Sequence, residues 1–185
     1  GVHAFTVWVE PDDEQLLVDE LERRGHVRDT APVLQAAELA DLDLEALAGE
    51  PPDLAPQPTF RELGRINDLA WGLPADTLAA AVAGLDDHPG EAFVRTALHD
   101  GEPACTLSVF VVGTDAYVTL VATLPRARGR GLATRLLAHA LLEAQADGAV
   151  TTTLEASPDG APVYERMGYR SLWRLGMYEH RIPAS

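Results

Sequence analysis

The alternation of apolar and polar positions divides the chain into short elements. Ala4–Val9 (AFTVWV) is β-branched and aromatic and predicts a strand. DDEQLLVDELERRG follows, with Leu16, Leu17, Val18 and Leu21 near helical spacing. Its acids come early and its arginines late, Gly25 supplies a stop, and a helix is expected. Residues 49–58 (GEPPDLAPQP) hold four prolines and predict an irregular linker. Beyond it, PTFRELGRINDLAWG places Phe60, Leu63, Ile66 and Ala70 on one helical face, and PADTLAAAVAGL predicts a second helix. Apolar runs at 92–99, 104–112 and 116–124, separated by HDGEP and GTD, predict an antiparallel meander. The third run leads through an arginine- and glycine-rich turn into a helix whose apolar stripe is Leu132, Leu136, Leu137, Ala140, Leu141 and Ala144. VTTTLEA then predicts a strand laid parallel to its predecessor by a right-handed crossover. SPDGAPVYERMGYR predicts a turn, a short helix and a glycine stop, and SLWRLGMYEH one closing strand. The fold class expected is α/β, a mixed α+β sheet in which an antiparallel meander precedes a parallel crossover.

Charge singles out one stretch of this pattern. The chain of 185 residues carries 29 acids against 14 basic residues, all arginine, for a net charge of −15. Residues 10–53 alone hold fourteen acids and three arginines. Such a balance argues against broad nucleic-acid binding and favours a cationic partner. Yet no acid occurs between Asp115 and Glu143, while Arg126, Arg128, Arg130 and Arg135 all do. The turn therefore brings positive charge and glycines to a helix start, where backbone N–H groups lack partners and attract phosphate.

Other chemistry recedes on inspection. Cys105 is single and flanked by apolar residues, which suits a buried filler in a reducing compartment. The histidines (His3, His26, His88, His99, His139 and His180) have no paired ligand spacing, so no metal is expected. No apolar run reaches spanning length and the opening residues lack the pattern of a signal peptide; a cytoplasmic protein without a membrane partner is expected. A lysine-dependent phosphate loop is excluded by the absence of lysine, and GRGLAT at 129–134 only half meets a dinucleotide fingerprint.

The remaining combination resembles the GNAT superfamily of N-acetyltransferases. The superfamily's acetyl-CoA signature, [QR]-x-x-G-x-[GA], is met by Arg128, Gly129, Arg130, Gly131, Leu132 and Ala133, with Pro125 three residues ahead. Its later Y-x-x-x-G-[FY] segment is met by Tyr164, Gly168 and Tyr169. The resemblance implies acetyl-CoA as cosubstrate, its pyrophosphate held by backbone N–H groups of Gly129, Arg130, Gly131, Leu132, Ala133 and Thr134, with Arg128 and the neighbouring arginines adding charge-assisted contacts to phosphate. It implies that Val121, Ala122 and Thr123 offer backbone groups to the pantetheine arm and the thioester. Tyr164 takes the position of the general acid, Glu155 is one candidate base beside relayed water, and Ser157 is a further cofactor contact. The acceptor implied is a primary amine on a small molecule or a protein, cationic as the acidity favours, and a homodimer is an open assembly state. A non-catalytic coenzyme A-binding sensor or interaction module remains the alternative, and another nucleotide-binding protein a third.

One internal similarity shapes the expected domains. LERRGHV at 21–27 resembles YERMGYR at 164–170, with Leu21 where the later copy has Tyr164. Residues 1–50 are therefore expected to be a partial, degenerate GNAT-like segment (strand, helix, strand), 51–58 a linker and 59–185 the acetyltransferase domain. Because Gly1 falls inside the apparent first unit, residues upstream of it are expected.

Overall fold

The computed structural model describes residues 4–10, 14–87 and 92–181; His3, His88 and Gly1 lie outside them. The chain forms two compact units, one of residues 37–154 and one built from both ends, 1–36 and 155–185.

In the larger unit, β4 (Ala92–His99), β5 (Glu102–Val112) and β6 (Asp115–Thr123) make the expected meander. β7 (Thr151–Ala156), in which the chain passes from one unit to the other, runs parallel to β6 from Asp115↔Thr151 to Val118↔Leu154. Its threonines are pinned to β6: Thr151 Oγ1 donates to Asp115 Oδ1 at 2.7 Å, and Thr152 Oγ1 to the Ala116 carbonyl at 2.8 Å. β5 is buried at every position from 104 to 109, so both faces of the meander are covered. One face meets α3 (Phe60–Trp71), where Phe60 and Leu63 pack on Val94 with Phe110 and Leu120 beside them. The other meets α5 (Leu132–Ala146), whose expected stripe is buried throughout and whose Glu143 pairs with Arg95 of β4. A short α2 (Leu44–Ala48) packs on α5.

α3 begins where expected because three acceptors meet its free N–H groups. Thr59 Oγ1 accepts from Glu62 N at 3.1 Å, and Asp86 accepts from Phe60 N at 2.6 Å and Arg61 N at 3.2 Å. α4 (Thr77–Val82) lies against α3 at Gly64, where a Cβ would fall 2.4 Å from the Ala79 Cα. The proline-rich segment stays irregular but is not loose. It is fastened to β4 by Leu98 N to the Asp53 carbonyl, 2.7 Å, and Ala55 N to the Thr96 carbonyl, 2.9 Å.

The smaller unit holds β1 (Ala4–Val9), α1 (Glu14–Arg23), β2 (Val27–Thr30), β3 (Val33–Glu38), α6 (Ala161–Met167), β8 (Arg170–Arg174) and β9 (Gly176–Arg181). Of the apolar residues read on α1, Leu21 enters a core with Val9 and Tyr178, and Val18 packs beside it; Leu16 is 89% exposed. Two expectations need correction here. The single closing strand is two: β8 pairs with β3, and after Leu175, held to the Pro32 carbonyl at 2.9 Å, β9 pairs with both β1 and β2. The one strand read after α1 is likewise two, β2 and β3, which part at Ala31-Pro32. In both cases partners far off in sequence decide the break. Early strands pair with late ones, and periodicity along one segment carries no sign of that.

Candidate functional site

The arginine-rich turn lies wholly in the larger unit. β6 ends at Thr123, Pro125–Ala127 make one turn of 3-10 helix, and α5 starts at Leu132. Gly129 and Gly131 hold φ of 72° and 69°, the left-handed region that glycine enters without steric cost. A Cβ at either position would meet no atom within 4 Å, so the space beside both is open. Gly131 caps the helix without any side-chain bond. Among the described residues, no carbonyl or capping side chain accepts from the N–H groups of 129–134; the first turn closes only with Arg135 N to the Gly131 carbonyl at 3.1 Å. Six donors in sequence therefore face an open, positive end of a fifteen-residue helix.

The four arginines divide by task. Arg126 donates to the Pro103 carbonyl at 2.9 Å. Arg128 is turned back on the protein, Nε to the Thr123 carbonyl at 2.9 Å and Nη2 to the Ala70 carbonyl at 3.1 Å. It thus ties the end of α3 to the end of β6. Arg130 and Arg135 have no ion pair or hydrogen bond among the described residues. With Leu132 they line a cleft of about 310 Å³, whose walls also include Pro51, Leu98, His99 and the acids Glu50, Asp53 and Asp100. Leu132 is buried and Ala133 and Thr134 are half-buried.

Just before the turn, β6 is bent. The pairing with β5 shifts between Thr106 and Ser108, opposite Leu120 and Val121, and Leu120 takes a φ of 52°. Such a bulge turns the strand locally. The β7 ladder stops at Val118, which leaves Val121, Ala122 and Thr123 without a β7 partner. Ala122 is buried and Val121 and Thr123 are half-buried. Thr123 Oγ1 lies 3.2 Å from the sulfur of Cys105. Burial pushes that thiol up to about 11, against a smaller lowering by the Thr123 hydroxyl, so Cys105 is a neutral core group.

One residue that sequence reading passed over sits here. Asn67 of α3 is fully buried; its Nδ2 donates to the Leu63 carbonyl at 2.9 Å and to the Leu120 carbonyl at 3.0 Å. The available signal was an amide within the apolar stripe, one turn beyond Leu63. Asp68, beside it, caps α4 through Leu78 N at 2.8 Å and Ala79 N at 3.3 Å.

Glu155, Ser157 and Tyr164 belong to the smaller unit. Glu155 is half-buried near the end of β7. Ser157 closes the turn into α6: its Oγ accepts from Gly160 N at 3.1 Å and its carbonyl from Ala161 N at 2.9 Å. Tyr164 is half-buried on α6, its ring edge-on to that of Tyr169 at 5.9 Å. Among the described residues, no group of three or more His, Cys, Asp or Glu side chains could hold a metal ion. No helix among them is long and apolar enough to cross a membrane.

Comparison with known proteins places the fold. The family described as the acetyltransferase (GNAT) family matches residues 53–169. No curated protein matches the chain. Among solved structures, a GCN5-related N-acetyltransferase from Kribbella flavida superposes with a TM-score of 0.65 at 21% identity, over 97% of this chain and 68% of its own. A tandem GNAT protein from the clavulanic acid biosynthesis pathway gives 0.65 at 16%, over 98% and 64%. A predicted acetyltransferase with acetyl-CoA from Clostridium acetobutylicum gives 0.50 at 18%, over 76% and 91%. At these identities the likeness is one of fold, and the chain spans about two thirds of the first two relatives.

Proposed function

The chain belongs to the acetyltransferase (GNAT) family, and on that premise we propose that it moves an acetyl group from acetyl-CoA to a primary amine. The observation that carries the proposal is the row of N–H groups at 129–134, in front of α5, which like the side chains of Arg130 and Arg135 have no partner among the described residues. These donors suit the pyrophosphate, and the open space at Gly129 and Gly131 lets it approach the backbone. Arg128 keeps the turn in place rather than reaching outward.

The residues then divide the work of an acyl transfer. The bulged end of β6, with Val121, Ala122 and Thr123, receives the pantetheine arm and the thioester, and a backbone N–H there stabilises the oxyanion. Tyr164 donates its phenol proton to the departing coenzyme A sulfur, and Glu155 or an ordered water takes the proton released by the attacking amine. Ser157 organises the turn before Tyr164 through Gly160. The acidity of the chain favours a cationic acceptor, a polyamine-like small molecule or a protein amine.

The N-terminal segment reads as a degenerate second GNAT-like unit. β2 and β3 begin 143 residues before β8 and β9, the same offset that relates LERRGHV to YERMGYR. Last strands are also exchanged: β3 pairs with β8 of the late half, and β9 with β1 and β2 of the early half. The likeness to a tandem GNAT protein over 98% of this chain favours the repeat reading. With Leu21 in place of the tyrosine, this unit is structural.

The test is release of free thiol from acetyl-CoA across a panel of amines. Turnover with any primary amine supports the proposal. Coenzyme A that stabilises the fold while no amine releases thiol would replace it with a binding module.

A further inference from the structure

The bend in β6 is tied to α3 by a buried side chain. Asn67 lies on α3, fully buried, and its amide nitrogen donates to both the Leu63 and Leu120 carbonyls. Two acceptors in those positions require the NH2 end of the amide, so its orientation is set by its neighbours. Its Oδ1 is buried with no partner among the described residues. An orphaned acceptor of this kind costs about 1–3 kcal/mol, and leucine, close in volume, would avoid it. Leu120 adds strain of its own, since a φ of 52° disfavours a side chain with a Cβ. Two unfavourable features meet at one peptide.

We infer that Asn67 is a positioning residue for acetyl transfer: by holding the Leu120 carbonyl it turns the Leu120–Val121 peptide so that the Val121 N–H serves as the oxyanion donor. The peptide is trans and planar, so its N–H points opposite to its carbonyl. With the carbonyl drawn to α3, the Val121 N–H is directed away from α3, on the stretch of β6 that has no β7 partner. Arg128 braces the same geometry from the other end, by tying the Ala70 carbonyl of α3 to that of Thr123. A donor fixed before the substrate arrives needs no reorganisation when charge develops on the thioester oxygen. The inference rests on the acetyltransferase reading and narrows it from three backbone positions to one.

The test compares wild type with Asn67→Leu, which removes both the donor and the orphaned oxygen while keeping volume. The kcat should fall about 10- to 100-fold, less than or comparable to the loss of an oxyanion donor outright, while KM for acetyl-CoA stays within about threefold. Infrared difference spectra of acetyl-CoA carrying a 13C carbonyl supply a readout that a purely structural role would not move. Bound to wild type, the thioester band should lie below its free frequency; bound to the variant, it should return towards it. Asn67→Ala serves the same comparison if leucine prevents folding. A folded variant with kcat within about twofold of wild type and an unmoved band would overturn the inference. A wild type that transfers no acetyl at all would overturn the acetyltransferase reading, and this inference with it.

Discussion

Gly64 offers the sharpest test of the packing that positions α3. It lies mid-helix, where alanine should stabilise by about 0.5–1 kcal/mol from backbone entropy alone. The structure predicts the opposite sign. A Cβ at Gly64 would stand 2.4 Å from the Ala79 Cα, 2.5 Å from its nitrogen and 2.8 Å from the Leu78 carbonyl carbon, all backbone atoms that cannot swing aside. Restoring ordinary contact near 3.5 Å requires α4 to back away by about 1 Å. That movement stretches the two bonds by which Asp68 caps α4, now 2.8 and 3.3 Å, beyond useful length. Overpacking costs about 1–3 kcal/mol and a hydrogen bond to a charged group about 1.5–3 kcal/mol. Against the gain in helix propensity, Gly64→Ala should therefore lose about 2–5 kcal/mol, a fall in Tm of roughly 5–15 °C for a chain of this size. Thermal denaturation followed by circular dichroism reads it directly. Gly84→Ala is the control, because nothing lies within 4 Å of a Cβ there, and its Tm should hold or rise slightly. If Gly64→Ala melts at or above the parent temperature, α3 and α4 do not pack as closely as described.

Three further outcomes are expected. Tyr164→Phe should lower kcat by about 100-fold with KM for acetyl-CoA little changed, as for loss of a general acid; full turnover would remove that assignment. Arg128→Ala, which frees the Thr123 and Ala70 carbonyls, should lower Tm, whereas Arg130→Ala combined with Arg135→Ala should leave Tm and raise KM for acetyl-CoA about tenfold or more. Identical effects of the two changes would contradict the division of labour among the arginines. Cys105, its thiol raised from near 9 to about 11 by burial, should resist alkylation at pH 8 until denaturant exposes it. Because the folded state favours the protonated thiol, stability owed to this group is complete below pH 9 and falls as pH rises from there towards 11; native alkylation at the unfolded rate would refute this.

Much of the candidate site is legible in the order of residues alone. The arginine–glycine turn, the strand before it and the helix after it are local: charge reversal, two glycines and a 3.6-residue apolar stripe lie within about thirty residues of one another. The same holds for Tyr164 and its glycine stop. What sequence does not carry is which donors are already taken. Arg128 and Arg130 are equivalent as letters, yet Arg128 turns back to Ala70, fifty-eight positions away, and Arg130 does not. Asn67 is hidden for a related reason. Its importance comes from the Leu120 carbonyl, fifty-three residues further on, and from a bulge that no periodicity announces.

The chain's sequence by itself determined the order of its elements from 60 to 168, the antiparallel meander with its parallel crossover, and the family, because apolar period, turn residues and two short motifs are all local signals. The tertiary structure alone decided that the closing segment breaks into β8 and β9, that β9 pairs with β1 and β2, and that β3 pairs with β8. Strand exchange of this kind depends on which edges remain unpaired once the rest has folded. A backbone N–H finds its acceptor by position in space, and that position is recorded nowhere in the letters beside it.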